Sequence, residues 1–163
     1  MKSIALALAL VLASAAAASA QEAPIEREAS DPTGLFIARI EARLWYEETG
    51  RLSDNVLIEG FTLWNSIIGE GSAEEPASDV LVSVKVSSQD GERFVTIPLV
   101  VDLVGEDGAV IQSQTADGLL TSDEGHSVKA FLFKEVTCAG DIRIRATLGP
   151  QTHSEPVVFA CGE

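Results

Sequence analysis

Hydrophobic and polar residues alternate with period two along most of this chain, which predicts β-strands. The clearest run is Val80, Val82, Val84 and Val86 set against Leu81, Ser83, Lys85 and Ser87. Residues 35–46 admit two readings. With period two, Phe36, Ala38, Ile40, Ala42, Leu44 and Tyr46 face inward while Arg39, Glu41 and Arg43 face water. As a helix, Asp31 caps, Pro32 takes the first position, and Ile37, Ile40 and Leu44 form a stripe. The alternation is longer and cleaner than the stripe, so a strand is predicted, ending in a turn at Glu47 to Gly50.

Further strands are predicted at Phe61 to Ile68, Phe94 to Val104, Ala109 to Thr115, His126 to Val136, Asp141 to Leu148 and Pro156 to Cys161. Pro98 argues for an edge position or a bulge partway along its strand. The dipeptides Asp90-Gly91 and Asp107-Gly108 tolerate the positive φ of tight turns. Seven or eight strands joined by turn-sized loops, with no convincing long helix, predict a single antiparallel β-sandwich of immunoglobulin-like proportions.

The first twenty residues follow a different pattern. Lys2 is followed by an uncharged apolar run from Ile4 to Leu12, then by small residues ending Ala18-Ser19-Ala20. A charged start, a short apolar stretch and a small-x-small site predict a secretory signal peptide over residues 1–20. The alternative is an uncleaved anchor, but the apolar run is too short to span a bilayer. No Cys follows it to carry a lipid. The style of the signal points to a bacterial envelope, with a periplasmic or secreted mature protein. Residues 21–34, rich in Glu, Pro, Ser and Asp, read as a flexible leader, and residues 35–163 as the domain.

Composition narrows the partners. Lys2 is the only charged residue of 1–20, so residues 21–163 carry 10 Lys+Arg against 25 Asp+Glu, a formal net charge of −15. No Lys/Arg cluster interrupts that acidity along the sequence. Nucleic acid and anionic membrane surfaces require a basic patch, so neither is expected as a partner. No insertion into a membrane is expected once the signal is removed.

Export also gives the two cysteines meaning. Cys138 and Cys161 are symmetric about the Gly149-Pro150 bond, and strand-like runs flank that turn on both sides. Folding the runs together places the cysteines opposite each other, predicting a disulfide across the open end of the C-terminal hairpin. In the chain-entropy account, a crosslink of this span contributes roughly 3 kcal/mol.

Reaction chemistry is harder to find. His126 and His153 each sit at a loop–strand junction among polar neighbours. No Gly-x-Ser-x-Gly elbow accompanies them, so a hydrolytic triad has no support. With both cysteines committed, zinc lacks a convergent ligand set. The acidic loops Glu70 to Asp79, Gly105 to Gly108 and Asp117 to Glu124 keep calcium open, although none has the spacing of a twelve-residue calcium loop. No cofactor is expected.

One segment stands out as a candidate surface. Phe61, Leu63, Trp64, Ile67 and Ile68 make a strand apolar on both faces, which is either a central core strand or one that meets a partner. The expectation is therefore an exported, non-enzymatic module that binds or scaffolds an envelope protein, in one version a chaperone or assembly inhibitor working by strand addition. The alternatives are a calcium or small-ligand domain and a small secreted hydrolase.

Overall fold

The computed structural model describes residues 34–64, 71–136 and 141–160. Every regular element among them is a strand. They run β1 (Leu35–Tyr46), β2 (Arg51–Leu52), β3 (Leu63–Trp64), β4 (Asp79–Ser88), β5 (Phe94–Val95) and β6 (Leu99–Val104). Then follow β7 (Val110–Ala116), β8 (Leu119–Leu120), β9 (His126–Phe133), β10 (Ile142–Leu148), β11 (Gln151–Val157) and β12 (Phe159–Ala160). Two four-stranded sheets, ordered β2-β1-β4-β9 and β11-β10-β6-β7, face each other, and every pairing within them is antiparallel.

The sheets meet through the residues that alternate inward. Val80, Val82, Val84 and Val86 of β4 pack with Leu99, Val101 and Leu103 of β6 and Ile142, Ile144, Ala146 and Leu148 of β10 in one buried cluster. Phe131 and Phe133 enter it from β9. The expected sandwich is therefore present, and residues 35–46 form a strand rather than a helix.

The phase of that first strand departs from simple alternation. Between Ile37 and Arg39 the register against β4 shifts by one residue, so Ala38 is a β-bulge. The bulge lets Leu35 and Ile37 point inward together with Ile40, Ala42, Leu44 and Tyr46. Phe36, expected inside, is half-buried on the other face. Phe94 to Val104 departs similarly: it breaks at Pro98 into β5 and β6. The β6–β7 hairpin continues past the break as the short β5–β8 ribbon, pairing Val95 with Leu119 and Phe94 with Leu120.

Both edges between the sheets are bridged by glutamines. On β7, Gln112 Nε2 donates to the Lys134 carbonyl at 2.8 Å, and Gln114 Nε2 donates to that of Leu132 at 2.5 Å. On β11, Gln151 Nε2 donates to the Leu35 carbonyl at 2.6 Å, while its Oε1 accepts from the Ile37 amide at 3.4 Å.

Pairing also assembles charge that is scattered in sequence. Arg39 lies directly opposite Lys85, and Arg43 lies two repeats along the same outer face of β1, beyond Glu41. The acidic chain thus has a cationic strip after all, built by strand register from residues that no sequence window groups together.

The C-terminal hairpin turns at Gly149-Pro150, with Leu148 opposite Gln151 and Ile142 opposite Val157. Beyond Val157 the chain leaves it, and β12 pairs in parallel with β3. The disulfide expected there falls on Cys138 and Cys161, which lie outside the described residues. No helix among the described residues is long and apolar enough to cross a membrane.

Candidate interaction surface

At one end of the sandwich, the loop after β4 and the loop before β9 are tied together. Thr121 is the tie: fully buried, its hydroxyl accepts from the Arg93 amide and donates to the Gly91 carbonyl, each at 2.8 Å. The Thr121 amide in turn donates to the Arg93 carbonyl at 2.9 Å. Ser88 N–H donates to the Gly125 carbonyl at 2.7 Å, joining the same loops again. A buried hydroxyl with both its donor and acceptor capacity used leaves little freedom to the segments it joins.

The β5–β8 ribbon is built on this tie. Leu119 is fully buried and Val95 packs against the core, so their ladder neighbours Leu120 and Phe94 must point out. Phe94 is 66% exposed and Leu120 is 55% exposed. The Phe94 ring lies against Gly118, where an added Cβ would sit 3.4 Å from its Cε2. Gly118 also has φ +74°, so glycine there serves both the turn and the seat of the ring. The result is an exposed aromatic–aliphatic pair whose backbone register is fixed.

Beside the pair is an open depression lined by Glu92, Leu120, Thr121, Ser122, Asp123 and His126. Its charged rim is acidic, and Glu124 Oε2 lies 3.8 Å from His126 Nδ1. An apolar knuckle with carboxylates around it suits a partner surface that is apolar at its centre and basic at its margin.

The sequence-derived candidates fall elsewhere. Leu63 is core, 5% exposed, and pairs with Phe159. Phe61 packs partly against that core. Trp64 is 45% exposed. Its indole rests where a Cβ on Gly71 would clash, and Gly71 has φ +84°. Ile67 and Ile68 lie outside the described residues. His126 lines the depression, whereas His153 is on the opposite sheet, its Nε2 2.8 Å from Glu155 Oε1. Among the described residues no group of three or more His, Cys, Asp or Glu is placed to hold a metal ion.

Sequence reasoning passed over Phe94 and Leu120. The available signal was the Leu119-Leu120 doublet in an otherwise polar loop, bounded by Gly118 and Thr121-Ser122.

No protein-family model matches the chain, and no curated protein matches it. Solved structures of similar shape exist. One is the C-terminal domain of wzt, with 13% identity over 80% of this chain and 74% of that one and a TM-score of 0.45. Another is the Bifidobacterium dentium beta-glucuronidase complexed with coumarin-3-O-glucuronide, with 13% identity over 78% of this chain and 18% of that one and a TM-score of 0.40. At these distances neither likeness bears on the architecture or the function of this chain.

Proposed function

We propose that the protein is an exported, non-enzymatic β-sandwich module that binds an envelope protein through the Phe94–Leu120 ribbon. The observation that carries this reading is the exposure of that pair on a backbone fixed by Thr121. Large apolar side chains held rigidly in water cost solvation free energy that a partner's surface recovers, at a lower ordering cost than a mobile loop demands. Trp64 is the weaker candidate, because at 45% exposure, with its indole resting against Gly71, it offers less free apolar surface than Phe94.

Contact by side chains fits better than strand addition at β9. The carbonyls of His126, Leu132 and Lys134 already accept bonds from Ser122 N–H, Gln114 and Gln112. An incoming strand would have to displace them.

Export rests on the signal pattern of residues 1–20, and it brings the disulfide with it. Each observed pair of the β10–β11 ladder is symmetric about the Gly149-Pro150 bond, as Cys138 and Cys161 are in sequence. The ladder ends at Ile142 and Val157, and the crosslink is proposed to join the two segments that leave the hairpin there.

The test of the binding site is the double substitution Phe94→Ser with Leu120→Ser. The mature variant is expected to keep its melting temperature and lose the envelope protein recovered with the parent chain. Recovery of the same partner by both proteins would remove the ribbon from the interface.

A further inference from the structure

We propose that the outer face of the β2-β1-β4-β9 sheet is a second binding site, for an extended acidic polypeptide segment whose carboxylates alternate with aliphatic residues. Arg39 and Lys85 are direct cross-strand partners on this face, and like charges so placed repel each other. Glu41 relieves part of that repulsion. Its carboxylate lies 2.8 Å from Arg39 Nη2 and 3.5 Å from Arg43 Nη2, so it serves both guanidiniums. The Lys85 ammonium has no ion-pair partner among the described residues, although the chain has 25 Asp+Glu against 11 Lys+Arg. With Glu41 shared between the two arginines, the Lys85 ammonium is the charge among the described residues that an incoming anion neutralises.

The strip is bordered by apolar side chains. Lys85 faces Val128 across the β4–β9 ladder, and Leu81 faces Leu132 on the same side of the sheet. Val128 is 57% exposed and Leu132 is 36% exposed. Positive and aliphatic positions thus recur along the strands at the two-residue repeat, about 6–7 Å, which matches an extended peptide of alternating acidic and aliphatic residues. A glycan fits less well. Sugar rings stack on aromatic faces, and the two rings of this surface, Phe36 and Trp45, stand at opposite ends of β1 with the cations between them, too far apart to hold one sugar.

The protein's overall negative charge does not forbid the contact. At physiological ionic strength charges are screened beyond about 8 Å, so the strip rather than the distant loops sets the local potential. The acidic residues concentrate in those loops, among them Glu47, Glu48, Asp90, Glu106 and Asp107, off this face.

The probe is a fluorescently labelled eight-residue peptide alternating glutamate with valine and leucine, titrated into the mature protein. Saturable binding is expected, weakened about tenfold by Lys85→Glu and abolished at about 0.5 M salt, where electrostatic contacts are screened. Val128→Ser is expected to weaken it as well, without a change in melting temperature. A peptide with lysine in place of glutamate is expected not to bind. Peptide affinity unchanged by Lys85→Glu would overturn the proposal. So would saturable binding of sulfated dextran by a protein that ignores the peptide, since the site would then be one for polysaccharide. Neither substitution touches the Phe94–Leu120 ribbon, so the two surfaces fail or stand separately.

Discussion

Thr121 illustrates how much a single buried hydroxyl can organise. It serves the Arg93 amide and the Gly91 carbonyl together, and both segments carry the exposed pair above them. Thr121→Val keeps the shape and removes the bonding, leaving two backbone groups without that partner. Such groups cost about 1–3 kcal/mol, and urea unfolding is expected to register a loss of that order. The Arg51–Glu75 pair behaves differently because it is at the surface. The hydrogen bond from Arg51, reinforced by Thr49, holds the Glu75 carboxyl below its ordinary pKa. A lowered folded-state pKa means stability that is present above the ordinary glutamate value, about 4.3, and is lost as pH falls through the folded value. Glu75→Gln is therefore expected to leave the neutral urea midpoint nearly unchanged, as exposed pairs do, and to reduce the drop in midpoint between about pH 6 and pH 3. An identical drop in both proteins would count against the pair.

Strands were legible wherever alternation was uninterrupted, as in β4, whose four inward valines are all buried. Interruption hid the rest. Ala38 is one extra residue, and it reverses the phase of everything before it, so Leu35 and Ile37 could not be told from outward positions by counting. A bulge is a property of two strands, whereas periodicity is a property of one. The β5–β8 ribbon escaped for the same reason: each side has two residues, and only their pairing makes them an element. The inter-sheet glutamines were equally silent, since polar residues on strands read as solvent-facing. Gln112 and Gln114 instead occupy the free carbonyls of β9, covering an edge that another chain would pair with. Replacing both with alanine is expected to cost about 1 kcal/mol per bond and to open that edge. Sedimentation velocity across a concentration series checks it, with association expected in the double variant and a single monomeric species in the parent.

Across the whole molecule, net charge proved a poor guide to surface. The count of acids described loops, while register gathered Arg39, Arg43 and Lys85 into a strip of opposite sign. The proposed export connects the parts, because an oxidising compartment would make a crosslink between Cys138 and Cys161 chemically reasonable. Thiol titration of the denatured, unreduced mature protein is expected to find no free thiol, and two free thiols would refute the crosslink. Partner binding at the Phe94–Leu120 ribbon is the proposal on which the proposed function depends. Placing a photo-activatable phenylalanine analogue at position 94, at 120, and at the outward position Thr115 on β7, then irradiating cells of the native host, tests it most directly. One discrete adduct is expected from positions 94 and 120 and none from 115. Adducts of equal yield at all three positions, or at 115 alone, would contradict it.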